Sequence, residues 1–437
     1  MSTVAESGRA RAPRAGATLV LGGQPRVIVA LARSLDRHGV PVVAVPLGQW
    51  DATIRSRAIR AIEPLRSPTA NPADCGGELF CIIDRHGVDC LMVGNDRALN
   101  VVSALHAALS RRVRLTCPPP ETVRCVLDKA RALACASAVG LPVPRTHRVT
   151  NPAELAALRS QLEFPLVVKR ASRGAADVAP ERSRDRVHVL RSYESLRILV
   201  DECAPTSWLL QEYFGQDDVY LAMIVRRGEA VARFQCRATK TLPRDCGPSV
   251  MTVTEEVDET MAAAALALLR RLQWEGVAQF DFRRDRRSGR WVFLEINGRF
   301  WGSVAAAIKA GQDFPWQVWR QAHGLPPAPA QPYRAGRKVR WLVGDLKRLA
   351  EALQSPQTGW PERMREIGRF VADCRSTVAG MIWSWRDPMA AISELRMTLT
   401  YWALTRLRTW RQRPARRIGV GTPSEPLPPA GGLHAGD

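Results

Sequence analysis

Apolar positions along the chain alternate between short continuous runs and stripes at helical spacing. ATLVLGG (Ala17–Gly23) is an apolar run closed by a glycine turn and predicts a buried strand. Val27, Leu31, Ala32 and Leu35 follow at helical spacing, up to a stop at Gly39. PVVAVP (Pro41–Pro46) predicts a second strand, CLMVGNDRA (Cys90–Ala98) a further one, and Leu99–Leu109 a helix. Strands alternating with helices predict a parallel α/β sheet over about Ala17–Pro120. Its first turn, Gly22-Gly23-Gln24-Pro25-Arg26, is not G-x-G-x-x-G, so the dinucleotide fingerprint is absent.

The pattern then changes. Leu127, Ala134 and Ala138 share a helical face before Gly140, and Asn151-Pro152-x-Glu154 reads as an N-cap with proline at the first helical position. PLVVK (Pro165–Lys169) is a buried strand that ends on a lysine. Trp208–Leu210 is another strand, and LAMIVRRGEAVARFQCR gives two more around Gly228. A helix over Glu259–Leu272 leads into two strands, VAQFDF (Val277–Phe282) and WVFLEIN (Trp291–Asn297), joined by a charged turn. Beyond Tyr333 the pattern is helical, with Trp341, Trp383 and Trp385 expected as aromatic anchors. Asp387-Pro388 opens a long helix carrying Ile392, Leu395, Leu399 and Trp402 at helical spacing.

Composition narrows the class. The 437 residues suggest about three domains, and 46% hydrophobic with 24% charged residues suits a soluble globular chain. No apolar run reaches the ~18 residues of a membrane span. The basic N-terminus has no long apolar region or cleavage site, so a disordered lead of about 16 residues is expected. Ten scattered cysteines form no C-x-x-C pair, which argues for reduced thiols, no zinc site and a cytoplasmic setting. The net charge of +21 admits nucleic acid, an anionic membrane surface or anionic substrates, or simply an arginine-rich composition. No basic–aromatic nucleic-acid motif is present, so nucleic acid is not expected.

Three residues carry candidate metal chemistry. Glu295 and Asn297 lie two apart on one strand and so point to one face, and Asp281 on the partner strand reaches that face. Two carboxylates and a carboxamide between apolar strands suit a hard cation such as Mg²⁺. The same residues would also serve as an edge hairpin whose acids pair with nearby arginines. Lys169, at the end of an apolar strand, needs an anionic partner, because a buried unpaired ammonium is costly.

EINGRFWGS after the upstream FDF, Asp128-Lys129 before a Gly-x-Pro-x-Pro turn, the strand lysine, and Gln211-Glu212-Tyr213 together resemble the ATP-grasp superfamily over about Ala17–Leu325. The resemblance implies an α/β (α+β) fold: a Rossmann-like pre-ATP-grasp domain (17–120), an ATP-grasp domain (121–330), a helical extension (331–417) and a disordered tail (418–437). It implies ATP and Mg²⁺, with Mn²⁺ as a substitute, and metal ligands Asp281, Glu295 and Asn297. Lys129 and Lys169 would meet the phosphates, under a loop containing Ser172 and Gly174 with fewer glycines than is usual. Gln211, Glu212 and Tyr213 would form the adenine hinge, and Asp218 (or Asp217) would take the ribose.

Arg299 would stabilise charge on the transferring phosphoryl group, with Arg237 and Lys240, and Arg244 beside them, near the terminal phosphate and the acid. Gly298 stands where the motif usually has proline, which implies a looser turn. Gly22, Gly23, Arg26, Asn95 and Asp96 are candidates for the acid-substrate side. The implied activity is a carboxylate–amine ligase working through an acyl phosphate, with small acid and amine substrates. A non-catalytic ATP-binding module is the alternative. The acid-free, arginine-rich stretch Leu395–Ser424 suits an anionic membrane surface or an acidic partner, or a helix packed on the body or on a second subunit of a homodimer.

Overall fold

The computed structural model describes residues 16–48, 53–65, 75–171, 187–202, 207–242, 247–329, 331–355, 358–376 and 379–411, with 202 and 404–411 as backbone alone. Ser172, Gly174 and Arg244 lie outside the described residues. The described residues up to Met397 make one compact unit, and those from Thr398 a second.

The first sheet is parallel throughout. Its strands are β1 (Ala17–Leu21), β2 (Val42–Val45), β3 (Ala61–Ile62), β4 (Val88–Val93) and β5 (Arg114–Leu115), in the order β3-β2-β1-β4-β5. Helices α1 (Pro25–Asp36), α2 (Gly76–His86), α3 (Asp96–Ala104) and α4 (His106–Leu109) connect or flank these strands. The strand expected over Cys90–Ala98 stops at Val93, because the Asn95 side chain accepts from the Ala98 amide at 2.8 Å and starts α3. The helix expected over Leu99–Leu109 breaks at Leu105. Strand order reverses between β1 and β4, and crevices at such switch points are where open α/β sheets bind ligands. There the backbone of Gly94 packs directly against that of Gly22, whose φ of +67° lies in the left-handed region.

Helices α5 (Pro120–Leu127) and α6 (Lys129–Ala138) follow, broken at Asp128. The Asp128 carboxylate caps α6 by accepting from the amides of Ala130 and Arg131 at 3.0 and 3.1 Å, so Lys129 opens a helix instead of lying inside one. A four-stranded antiparallel sheet, β6-β9-β7-β8, comprises β6 (Thr146–Val149), β7 (Leu166–Arg170), β8 (His188–Leu190) and β9 (Trp208–Glu212), with α7 (Pro152–Ala157) and α8 (Tyr193–Glu202). Asn151 caps α7 with Pro152 at its first turn, as its sequence predicts.

The third sheet has the order β14-β13-β10-β11-β12-β15-β16. It contains β10 (Asp217–Arg226), β11 (Glu229–Thr241), β12 (Ser249–Glu255), β13 (Gly276–Arg284), β14 (Trp291–Asn297), β15 (Lys338–Arg340) and β16 (Ala379–Gly380). One face packs Val219, Leu221, Phe280 and Phe282 with residues of α6 and of α9 (Glu259–Arg271). The other packs Ala222, Phe234 and Cys236 against α1, α10 (Val304–Lys309) and α11 (Phe314–Ala322).

The extension forms α12 (Leu342–Gln354), α13 (Trp360–Ser376) and α14 (Met389–Arg411). It is tied to the first sheet's layer by Arg33, which pairs with Asp387 at 3.0 Å. Trp341 is partly buried, whereas Trp383 and Trp385 are exposed and pack edge to face on each other. Ile392 and Leu395 of α14 are exposed, as are Leu399 and Trp402 of the second unit, and the polar Ser393 and Glu394 are buried instead.

Candidate active site

The β13–β14 hairpin forms where its pattern predicts, and the pairing brings Asp281 opposite Glu295 and Gln279 opposite Asn297. Leu294 is an extra residue in the ladder: Phe282 pairs with Phe293 and Asp281 with Glu295, leaving Leu294 unmatched. This bulge does what simple alternation cannot. Phe293 stays in the aromatic core with Phe280 and Phe282, while Glu295 and Asn297 turn to the opposite face.

That face opens on a cavity of about 780 Å³ to which all three sheets contribute. The parallel sheet's layer supplies Gln24 and Arg26 from the start of α1 and Asn95 and Asp96 from the start of α3. The four-stranded sheet supplies Lys169, Gln211, Glu212 and Tyr213, and α6 supplies Lys129. The third sheet supplies Asp218, Tyr220, Gln279, Asp281, Glu295, Asn297 and Arg299. Gly22 and Gly23 lie behind this wall; their contribution is the close approach to Gly94 and Asn95.

Charges in the cavity alternate. Lys129 Nζ lies 2.7 Å from Glu295 Oε2. Arg299 donates to Asp96 at 2.9 and 3.3 Å and to the Asn297 carbonyl oxygen at 2.7 Å, while Asn297 donates to Gln279 at 2.9 Å. Burial, and then Glu295 beside it, raise the Asp281 carboxyl well above the usual carboxylate range; a hydrogen bond from Gln279 opposes this. Burial is also the main influence on Lys169, whose ammonium is pushed down to about 8, with Lys129 adding to the shift and Glu295 and Asp281 opposing it. Burial is the largest single influence on the Arg299 guanidinium and pulls it down, but Asp96, Asp281 and Glu295 together hold that group above its ordinary value.

The donor set fits Mg²⁺. Two adjacent carboxylates, one strongly disfavoured as an anion because of burial and the other, leave a negative site that a hard cation would relieve, and the Asn297 oxygen adds a neutral ligand. Lys129 and Arg299 now occupy these oxygens. Among the described residues no group of three His, Cys, Asp or Glu side chains forms a metal cluster, so phosphate or water oxygens would have to complete the shell.

Several expected residues land elsewhere. Arg237 pairs across the ladder with Val219, on the face of the sheet opposite Tyr220 and Asp281, and binds Glu255 at 2.9 Å. Lys240 is held by Asp345 of α12 at 3.2 Å and Asp373 of α13 at 2.7 Å. Neither lines the cavity, because acids distant in sequence hold each of them on another surface. Asp217 turns away to Arg286 at 2.7 Å, whereas Asp218 faces the cavity and pairs with Arg283 at 2.9 Å. Glu212 lines the cavity and also binds Arg145 at 3.2 Å. Gly298 is not a loosened turn: a Cβ there would overlap the buried Trp274 ring.

Sequence reasoning missed Gln279, Tyr220 and Arg283, and expected Trp341 only as an aromatic anchor. Arg26, already a candidate for the acid-substrate side, is the informative case. It is buried, its guanidinium lies 4.3 Å over the Trp341 ring, and it donates to the Ser249 carbonyl at 2.9 Å and to Gln24 at 2.9 Å. No described carboxylate lies within ion-pair distance of it. Burial lowers it to about 10, partly offset by Glu394, which accepts from the Trp341 indole at 2.7 Å. A Cβ at Gly302 would strike this guanidinium.

Residues 205–344 match a family described as "ATP-grasp in the biosynthetic pathway with Ter operon". That match covers less than half of the chain, and marks this segment as similar to the ATP-grasp family. Among solved structures it resembles N5-carboxyaminoimidazole ribonucleotide synthetase from Thermus thermophilus, with a TM-score of 0.58 and 17% identity over 83% of this chain and 98% of that one. It also resembles the biotin carboxylase domain dimer of 2-oxoglutarate carboxylase from Hydrogenobacter thermophilus, solved with MgADP and bicarbonate (TM-score 0.57, 13% identity, 75% of this chain and 74% of that one). Among curated proteins it aligns with a D-alanine--D-alanine ligase of Acidiphilium cryptum at 28% identity, over 39% of this chain and 56% of the relative. It aligns with a putative urea carboxylase of Emericella nidulans at 20% identity, over 64% of this chain and 23% of the relative. The chain thus spans about half and about a quarter of these two relatives' lengths. The ATP-grasp fold of the sequence reading holds, with a parallel α/β sheet ahead of it.

Proposed function

We propose that the protein is an ATP-dependent ligase that joins a small carboxylate to an amine through an acyl phosphate and releases ADP and phosphate. One observation carries this reading: Asp281, Glu295, Lys129, Lys169 and Arg299, drawn from two sheets and a helix, converge on one cavity. The ligase and carboxylase relatives support it.

The residues divide the work by charge. Lys129 and Lys169 would leave their carboxylate neighbours to meet the ATP phosphates, and Ser172 and Gly174 would cover those phosphates. Asp281, Glu295 and Asn297 would hold Mg²⁺, or Mn²⁺ in its place, which when bound neutralises phosphate charge. The Gln211–Tyr213 hinge would receive adenine, and Asp218 the ribose. Arg26, a buried cation with no carboxylate within ion-pair distance among the described residues, is the natural partner for the acid substrate. A carboxylate oxygen of that acid attacks the γ-phosphorus, the bond to the ADP oxygen breaks, and Arg299 stabilises the charge on the equatorial oxygens. The amine nitrogen then attacks the acyl carbon; the carbon–oxygen bond to phosphate breaks and the amine loses a proton. The protein contributes mainly positioning and electrostatics.

Hydroxylamine should replace the amine. With ATP, Mg²⁺ and a panel of carboxylates, the expected product is a hydroxamate, with one ADP per hydroxamate. AMP and pyrophosphate would mean an adenylate and refute the mechanism. Acid-independent ATP hydrolysis without hydroxamate would instead favour a non-catalytic ATP-binding module.

A further inference from the structure

Two neighbouring carbonyls at the start of β12 hold Arg26 and Trp341 beside each other. Arg26 Nη1 donates to the Ser249 carbonyl at 2.9 Å, and the Trp341 amide donates to the Val250 carbonyl at 2.7 Å. The guanidinium carbon of Arg26 lies over the Trp341 ring, 4.3 Å from its centre. The ring also lies against Gly344 of α12, where a Cβ would run into it. Its Nε1 donates at 2.7 Å to Glu394 of α14, which is buried. The indole therefore has a backbone anchor, a packed side and a directional hydrogen bond, and its plane is fixed.

Arg26 is stacked on that plane and held at two of its nitrogens. Nε donates to Gln24 at 2.9 Å and Nη1 to Ser249, while among the described residues no acceptor meets Nη2. Arg26 and Gly302 both line the cavity, and a Cβ on Gly302 would meet Nη2 and Cζ. A planar guanidinium fixed in this way offers its remaining donors in one direction only.

We propose, resting on Arg26 as the partner of the acid, that Trp341 and Glu394 are positioning residues for the acid substrate. Trp341 sets the plane of the Arg26 guanidinium, Glu394 sets the indole, and Nη2 is thereby presented to the substrate carboxylate. Both residues belong to the helical extension, which makes the extension part of the acid site. Glu394 also tunes the charge that Arg26 offers. Burial pushes its carboxyl up to about 7, against the opposing effects of the Trp341 hydrogen bond and of the charges on Arg26 of α1 and Lys347 of α12. Above that value an anionic Glu394 offsets part of the Arg26 charge. Below it the Arg26 charge is left whole for an incoming carboxylate.

The test is acetate binding by the full chain carrying isotope-labelled arginine, followed by NMR on the Arg26 Nε–H signal, which Arg26→Gln identifies by removing it. A saturable shift is expected in the wild type. Trp341→Leu should weaken acetate binding at least ~10-fold, and Trp341→Phe, which keeps an aromatic face, by no more than ~3-fold. Wild-type affinity should fall as pH rises through about 7. Glu394→Gln keeps an acceptor for the indole but carries no charge, so it should abolish that fall; this comparison decides the matter even where Trp341→Leu does not fold. Acetate binding by Trp341→Leu equal to that of the wild type would overturn the proposal, as would an unchanged pH profile in Glu394→Gln. A wild type that ignores acetate but is stabilised against heat by Mg-ATP would remove Arg26 from the acid site, and the proposal with it, while leaving the ATP reading intact.

Discussion

Lys129 Nζ and Glu295 Oε2 lie 2.7 Å apart, one at the start of α6 and the other beside the β14 bulge. Each is the counter-charge that makes the other tolerable in a half-buried cavity. Replacing Glu295 with Gln removes the ligand charge when it matters most, as negative charge develops on the transferring phosphoryl group. Turnover should fall by at least ~10²-fold, while ATP binding weakens far less. ADP-release kinetics beside a binding titration would check the split. Normal turnover in Glu295→Gln would remove the metal assignment.

Lys169 reports burial through pH. Its folded-state value of about 8 lies below the ordinary lysine range, so the unfolded chain holds this proton more tightly. Stability must then rise as pH increases from about 8 toward 10.5 and be lost again on acidification. Denaturant titrations should show wild type gaining up to about 3 kcal/mol over this window relative to Lys169→Met. An equal pH dependence in both proteins would contradict the buried ammonium.

The same lysine is the natural counter-ion for the nucleotide. Saturating Mg-ATP should stabilise the wild type by about 2–4 kcal/mol, and Lys169→Ala should lose most of that gain. Thermal unfolding with and without Mg-ATP measures it.

Arg26 separates the acid from ATP. Arg26→Gln should raise the KM for the acid by at least ~10-fold while leaving the KM for ATP near its starting value. Gly302→Ala should do the same without touching a charge, because its Cβ would displace the guanidinium. If both variants changed only the KM for ATP, Arg26 would belong to the nucleotide.

Gly298→Ala tests the packing of the motif turn. The added methyl would meet the buried Trp274 ring, so a loss of about 1–3 kcal/mol is expected. Gly77→Ala, in α2 with open space around it, should be neutral or stabilising by up to ~1 kcal/mol. Chemical denaturation of the two variants decides the contrast.

The sequence by itself determined the local architecture of the site. Alternation and turn chemistry in Val277–Asn297 specify the hairpin, and helical spacing specifies α1 and α9, because each signal concerns neighbours a few residues apart. An apolar strand ending in Lys169 already announced a buried cation. Tertiary structure decided what depends on register and on distant partners. The Leu294 bulge, which moves Phe293 into the core and Glu295 into the cavity, is a property of how two strands pair. Arg237 and Lys240 read as phosphate ligands until Glu255, Asp345 and Asp373 are brought to them from elsewhere in the chain. For the same reason the sequence left the α14 stripe open as a packing face or as a membrane or partner face. Helical spacing says which residues share a side, but only Trp341 and Arg55, distant in sequence, decide that the polar side faces in.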